Sequence, residues 1–359
     1  MSNVKKRDSN IELLRIYAMF FITMGHICCK APRFEDAPIL YEWLMSLIGI
    51  GTVDIFILIT GFFLINKTEI SLRRFVKVFV QVVFYNVLIV GILAACGIAT
   101  PREVLVAAYP LGPSRFNLWF VSQYLALILL QPFLSRLVIR FTHRQYLGFL
   151  LLLILLTSTL TPVFPLGYIY SSPWKVTWFI TLFFAGGYLR LYLPRVGSCL
   201  KPALLYVAAC TVGFVCTLLM RRGYVQGWDL GAYNSLVVFA IGVTAMLFAS
   251  RLKIGHIPAV NYIASSTFAV YIIHQNPYVI EWLMDQAPAY YGWSTAYYTD
   301  FLIGMAVTAV VFLLCVAIDK LRLALFYLCR IERLEDRLAD ATLSLVRRAL
   351  SRLTAPRAD

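Results

Sequence analysis

The sequence predicts an all-α integral membrane protein with about ten transmembrane helices and both termini in the cytoplasm. Three observations predict it. First, 60% of the 359 residues are hydrophobic and 14% are charged, with a mean hydropathy of +0.77; a water-soluble globule of that composition would expose far too much apolar surface. Second, the apolar residues fall in continuous stretches near the ~20 residues a helix needs to cross a ~30 Å hydrocarbon core, without the alternation of barrel strands. Third, Lys and Arg gather at alternate loops.

The expected spans are 11–29, 43–65, 75–98, 117–137, 146–163, 174–193, 202–220, 231–249, 260–281 and 298–318. They divide the chain into a cytoplasmic N-terminus (1–10), a transmembrane domain (11–318) and a cytoplasmic tail (319–359). Laid out with the N-terminus inside, the inner ends and loops collect Lys5, Lys6, Arg7, Lys67, Arg73, Arg74, Arg136, Arg140, Arg144, Arg195, Lys201, Arg251 and Lys253. The outer side keeps Lys30, Arg33, Arg102, Arg115, Lys175, Arg221 and Arg222. The net charge of +14 is then a topology and lipid-surface signal that calls for no nucleic acid. The first span has the basic flank of a signal peptide, but Glu12, Arg15 and His26 interrupt its apolar core and no small-residue cleavage site follows, which reads as an uncleaved anchor. From Lys320 onward, charges alternate with leucines at helical spacing, the pattern of an amphipathic helix on the inner leaflet.

The chemistry-bearing motifs of soluble enzymes are missing. The eight cysteines show no CxxC or metal-ligand spacing, so no metal is expected. There is no P-loop, no HExxH and no GxSxG. Attention therefore falls on polar groups inside the spans, each costing about 2.5–3.5 kcal/mol on insertion scales and tending to face a cavity or a partner. Arg15 and His26 lie eleven residues apart, which turns a helix only about 20° past three full turns, so they share a face, with Glu12 on nearly the same stripe. His26 comes about 22 Å up its span and His274 about 21 Å up the ninth, a matching level in the outer half of the membrane. Thr267, Tyr271, His274 and Tyr278 share one face of the ninth span, a polar stripe below and above the imidazole. Each residue also has a plainer reading. Arg15 serves equally as an interfacial anchor, His26 as an interfacial residue, and His274 as a packing residue. Asp54 can be the partner of a structural hydrogen bond between helices, and Trp119, one turn from Gln123, fits an aromatic belt.

In order along the chain, these segments resemble the acyltransferase 3 family of polytopic membrane acyltransferases that modify cell-envelope glycans. SNIELLRIYAMFFITMGHI is similar to the family's acidic-x-x-Arg pattern followed by Arg-x10-His, carried by Glu12, Arg15 and His26. IGTVDIFILITGFFL resembles its second-span segment, with Gly51, Asp54, Phe56, Gly61 and Phe62 in place and Thr60 where the family usually has Ser. Arg73 and Arg74 stand where the family has inner-loop arginines. NLWFVSQYLALILLQP, with Trp119 and Gln123, and STFAVYIIHQNP, with Tyr271 and His274, resemble its later motifs; Ala269 replaces a glycine in the second.

The resemblance implies transfer of an acyl group, most often acetyl from acetyl-CoA, to a hydroxyl of a cell-surface polysaccharide or other envelope glycan. No tightly bound cofactor is implied; acyl-CoA is a co-substrate. A neutral imidazole suits removal of the hydroxyl proton, and His26 is the expected base; Arg15 and Glu12 complete the catalytic group, with Arg15, toward the cytoplasm on the same face, either meeting the donor or orienting Glu12. Arg73 and Arg74 suit the CoA phosphates, although positive-inside topology accounts for them equally. Asp54, Thr60, Trp119, Gln123, Tyr271 and His274 are the supporting residues. Tyr168, Tyr170, Trp174, Trp282, Tyr290, Tyr291, Trp293, Tyr297 and Tyr298 offer sugar-contact faces on the outer side or form an interfacial belt. The expected setting is the cell membrane, multi-pass, with the acyl-CoA donor, a glycan acceptor and the lipid bilayer as partners; a homo-oligomer stays open. A glycan carrier, with the buried His, Asp and Arg lining a path, is the alternative of another class.

Overall fold

A computed structural model describes residues 9–28, 38–39, 41, 43, 49–158, 174–193, 197–224 and 232–354. Among them the regular elements are all helices: α1 (Ser9–Ile27), α2 (Thr52–Leu64), α3 (Arg73–Ala95), α4 (Pro101–Ala107), α5 (Trp119–Ile139), α6 (His143–Thr157), α7 (Val176–Tyr192), α8 (Leu200–Arg221), α9 (Leu236–Arg251), α10 (Pro258–Ala264), α11 (Thr267–His274), α12 (Pro277–Asp285), α13 (Ala287–Tyr291), α14 (Tyr297–Leu328) and α15 (Ile331–Thr354). The predicted all-α class is what the described residues adopt. Lys5, Lys6, Arg7, Lys30, Arg33, Arg195, Tyr168 and Tyr170 lie outside the described residues.

By length and composition, α3, α5, α8 (over Leu200–Met220) and α14 can each cross a membrane. Their outward faces are apolar. On α8, Leu204, Leu205, Val212 and Val215 are exposed, and on α14, Leu302, Val310, Leu313 and Leu314. Bare leucine and valine along whole helix faces suit a hydrocarbon solvent, as a membrane protein requires. The apolar helices α2, α6 and α9 are shorter, at 13, 15 and 16 residues.

One expected span is different in kind. Residues 260–281 form three short helices, α10, α11 and α12, instead of one rod. Pro277 has no N–H with which to continue α11, and Asn276 caps the new start by accepting a hydrogen bond from the Tyr278 amide at 3.2 Å. Tyr278 therefore leaves the face shared by Thr267, Tyr271 and His274. At the other end of the chain, α14 continues ten residues past the expected limit, to Leu328, and the chain then turns through Arg330 at φ 54°. α15 folds back against α3.

The core centres on α2 and α7, where backbone meets backbone. A Cβ on Gly61 would overlap the Phe183 carbonyl, and one on Gly186 would overlap the Leu58 carbonyl. Trp178, Phe179, Leu182, Phe183 and Phe184 fill the surrounding space, each almost completely buried. The C-terminal carbonyls of α2 are satisfied from α5, where Gln131 Nε2 donates to Leu64 O (3.0 Å) and Lys67 O (2.6 Å). Tyr85 of α3 donates to Asp319 Oδ1 of α14 (2.7 Å), which also accepts from Arg322 Nε (2.8 Å), joining the two helices.

Candidate active site

α1 and the α10–α11 run lie side by side and point the same way. The Ile257 amide donates to Ser9 Oγ (2.7 Å) at the foot of α1, so the two runs start level. At the far end His26 and His274 meet: His26 Nδ1 is 3.1 Å from His274 Nε2, with ring centroids 5.3 Å apart. The matching depth read from sequence thus becomes a contact between residues 248 positions apart. His274 is fully buried, and its Nδ1 lies 2.6 Å from the Val270 carbonyl one turn below. His26 is half-buried and its Nε2 has no hydrogen-bond partner among the described residues.

An aromatic wall leads outward from this pair. Tyr271 meets His274 edge-on at 6.0 Å and Phe120 at 5.5 Å. Beside Phe120, Trp119 packs edge-on to Trp174 at 4.6 Å and is stacked on Tyr233 at 6.1 Å. Trp119 and Gln123 line a cleft of about 500 Å³ with Arg115, Asn117 and Ser122. The structure therefore brings His26, His274, Tyr271, Trp119 and Gln123 to one end of the bundle.

Other expected site residues are engaged elsewhere. Arg15 pairs with buried Glu12 at 2.6 Å, about 16 Å along α1 from His26. Asp54, almost fully buried, accepts from Trp178 Nε1 at 3.2 Å, the interhelical hydrogen bond weighed from sequence; its second carboxylate oxygen has no partner among the described residues. The Thr60 hydroxyl donates to the Phe56 carbonyl of its own helix at 2.9 Å and holds nothing across the site. Arg74 is exposed. Arg73 is exposed too and pairs with two carboxylates of α15, Asp340 at 3.1 Å and Asp336 at 3.8 Å.

A polar clasp that sequence reading missed covers the histidine end. Glu103 closes a capping box with Thr100 at the start of α4 and accepts from Tyr278 OH of α12 at 2.8 Å. Arg115 lies 4.7 Å over the Tyr278 ring and pairs with Glu281 at 2.7 Å. The sequence signals were the T-x-x-E box at Thr100 and the Asn276-Pro277 step that turns α12 aside. The Thr100 amide first, then the Tyr278 and Thr100 hydroxyls, hold the Glu103 carboxyl below the usual range. The native form therefore binds this proton less tightly than the unfolded chain. Its stabilisation is full above the ordinary Glu value of about 4.3 and fades as pH falls through the lower native value. Thermal melts of wild type and Glu103→Gln should accordingly differ at pH 7 and converge below about pH 4; a gap constant with pH would remove the clasp's ionic character.

Among the described residues no cluster of His, Cys, Asp and Glu could hold a metal. The arrangement offers one imidazole with an available nitrogen, backed by a second and joined by a chain of ring contacts to Trp119 of the cleft: parts for moving a proton from a hydroxyl. No curated protein and no solved structure matches the chain. The family model for the acyltransferase domain matches residues 8–320, nearly the whole helical bundle, and so the chain belongs to the acyltransferase 3 family.

Proposed function

We propose that this membrane acyltransferase is an O-acyltransferase of the cell membrane that moves an acyl group, acetyl as the first expectation, from acyl-CoA to a hydroxyl of an envelope glycan. The observation that carries this reading is the His26–His274 contact, joined through Tyr271 and Phe120 to Trp119, which lines the cleft. His26 removes the proton as the sugar oxygen attacks the thioester carbonyl. The tetrahedral intermediate collapses, the C–S bond breaks, and the proton on His26 passes to the departing CoA thiolate. The ester and free CoA are the products, and the imidazole returns neutral.

Donor and acceptor would come from opposite sides. The cleft beside Trp119 and Gln123 presents ring faces and an amide suited to a sugar. Arg73 and Arg74 suit the phosphates of CoA arriving from the cytoplasm, and Arg73 then exchanges its α15 carboxylates for a phosphate. Replacing Asp336 and Asp340 together with Asn should lower the KM for acyl-CoA about 2–5-fold at low ionic strength, a range set by the modest strength of exposed ion pairs. Donor KM unchanged in this variant and in Arg73→Ala would remove Arg73 from the donor path.

Mass spectrometry of surface glycans from cells with and without the gene, before and after mild alkali, tests the function. Loss of one alkali-labile acyl mass on deletion is expected, and that mass names the acyl group. Unmodified glycan accumulating inside, with no ester missing from what is exported, would replace the enzyme with a carrier.

A further inference from the structure

We infer that His274 is a positioning residue that sets the tautomer of His26 and thereby selects Nε2 as the atom that takes the substrate proton; the inference rests on the O-acyltransferase reading above. The derivation starts at a backbone carbonyl. Val270 O can only accept, so His274 Nδ1, 2.6 Å away, carries a hydrogen. A neutral imidazole has one N–H, so His274 Nε2 holds a lone pair. That nitrogen faces His26 Nδ1 at 3.1 Å, so His26 Nδ1 carries the hydrogen between them. By the same single-hydrogen count, His26 Nε2 is bare and basic.

The opposite direction is closed. For His274 Nε2 to donate, its ring would carry hydrogens on both nitrogens, a cation in a side chain with 0% exposure and with no carboxylate at ion-pair distance among the described residues. A buried unpaired charge of that kind is strongly disfavoured. The direction matters because a free imidazole in water prefers its hydrogen on Nε2, which would leave the outward nitrogen blocked. The buried ring reverses that preference, much as the carboxylate partner of a hydrolase histidine orients its imidazole.

The same chain of bonds supports the charged state. When His26 Nε2 takes the sugar proton, its Nδ1–H still donates to His274 Nε2, and His274 Nδ1–H still donates to the Val270 carbonyl, one turn before the end of α11. The helix C-terminus carries partial negative charge and favours a cation beside it. The chain ends on that carbonyl, which cannot pass a proton onward. The proton therefore stays on His26 until the thiolate of the leaving CoA collects it.

Histidine-selective ¹⁵N spectra of the detergent-solubilised protein test the assignment with no substrate present. The four histidines are assigned by single substitutions. The wild-type spectrum is expected to show His26 with a protonated Nδ1 and a bare Nε2. In His274→Leu, which fills the space without accepting, His26 should revert to the Nε2–H tautomer. His274→Gln keeps an amide oxygen for the Nδ1–H and should hold the wild-type tautomer. In turnover, kcat for CoA release should fall about 100-fold or more in His274→Leu with donor KM little changed, and recover to within about 10-fold of wild type in His274→Gln. A wild-type Nε2–H signal, or a His26 tautomer unmoved by His274→Leu, would overturn the inference. A wild type that holds the expected tautomer but forms no ester would instead remove the acyl-transfer reading and leave the tautomer assignment standing.

Discussion

Gly61→Ala and Gly186→Ala are each expected to prevent the bundle from assembling. In most helices such a change is mild, because alanine is the better helix former. Here the added methyl group has no room, since its nearest neighbours are the Phe183 and Leu58 carbonyls of the facing helix. Backbone cannot rotate aside as a side chain does. α2 and α7 must separate, and Trp178, Phe183 and Phe184, packed almost free of solvent around their crossing, lose contact together. Disruption of this kind belongs with the exceptional destabilisations above about 4 kcal/mol. Gly91→Ala is the control, because a Cβ there meets nothing within 4 Å. Size-exclusion profiles and melting curves in detergent should show Gly91→Ala folded and the other two aggregated or absent. A monodisperse Gly61→Ala melting within a few degrees of wild type would show that the close crossing is not required.

His26→Ala should do the reverse, leaving the fold and removing the chemistry. The ring is half-buried at the end of α1, so its loss leaves a small polar gap beside His274. As the proton acceptor it is expected to contribute about 100- to 10,000-fold to kcat. Cells carrying the variant should make normal amounts of membrane-inserted protein and surface glycan without the alkali-labile acyl group, and the purified variant should release CoA at the background rate. Wild-type ester levels from a variant of equal abundance would take His26 out of the catalytic role.

Much of this organisation could be read from the sequence because it is local or periodic. The apolar runs give most of the helices to within a few residues, the i,i+3 spacing anticipates the Arg15–Glu12 pair, and counting along two spans puts His26 and His274 at one depth. Counting worked because α1 and the α10–α11 run start level and point the same way. It failed at Tyr278, where Asn276 and Pro277 redirect the chain and cancel the helical phase. What stayed hidden was long-range. Nothing near Asp54 announces Trp178, 124 positions later, and nothing near Arg73 announces Asp340, 267 positions later. The hydroxyl of Thr60 looked available and is spent on its own helix, a local bond that competes wherever Ser or Thr sits in a helix.

The glycine crossing also fixes how this protein can move. Two helices seated backbone to backbone have no side chains to reshuffle between them, so α2 and α7 travel as a single strut. The jointed run, where α10, α11 and α12 meet at Ser265–Ser266 and Gln275–Asn276, is seated on the same core, with Ala269, Val270, Ile272 and Ile273 buried in one cluster with Leu58 and Phe183. His274 is carried on the middle piece of that run, so the packing that holds α11 in place also holds the hydrogen bond between His274 and His26.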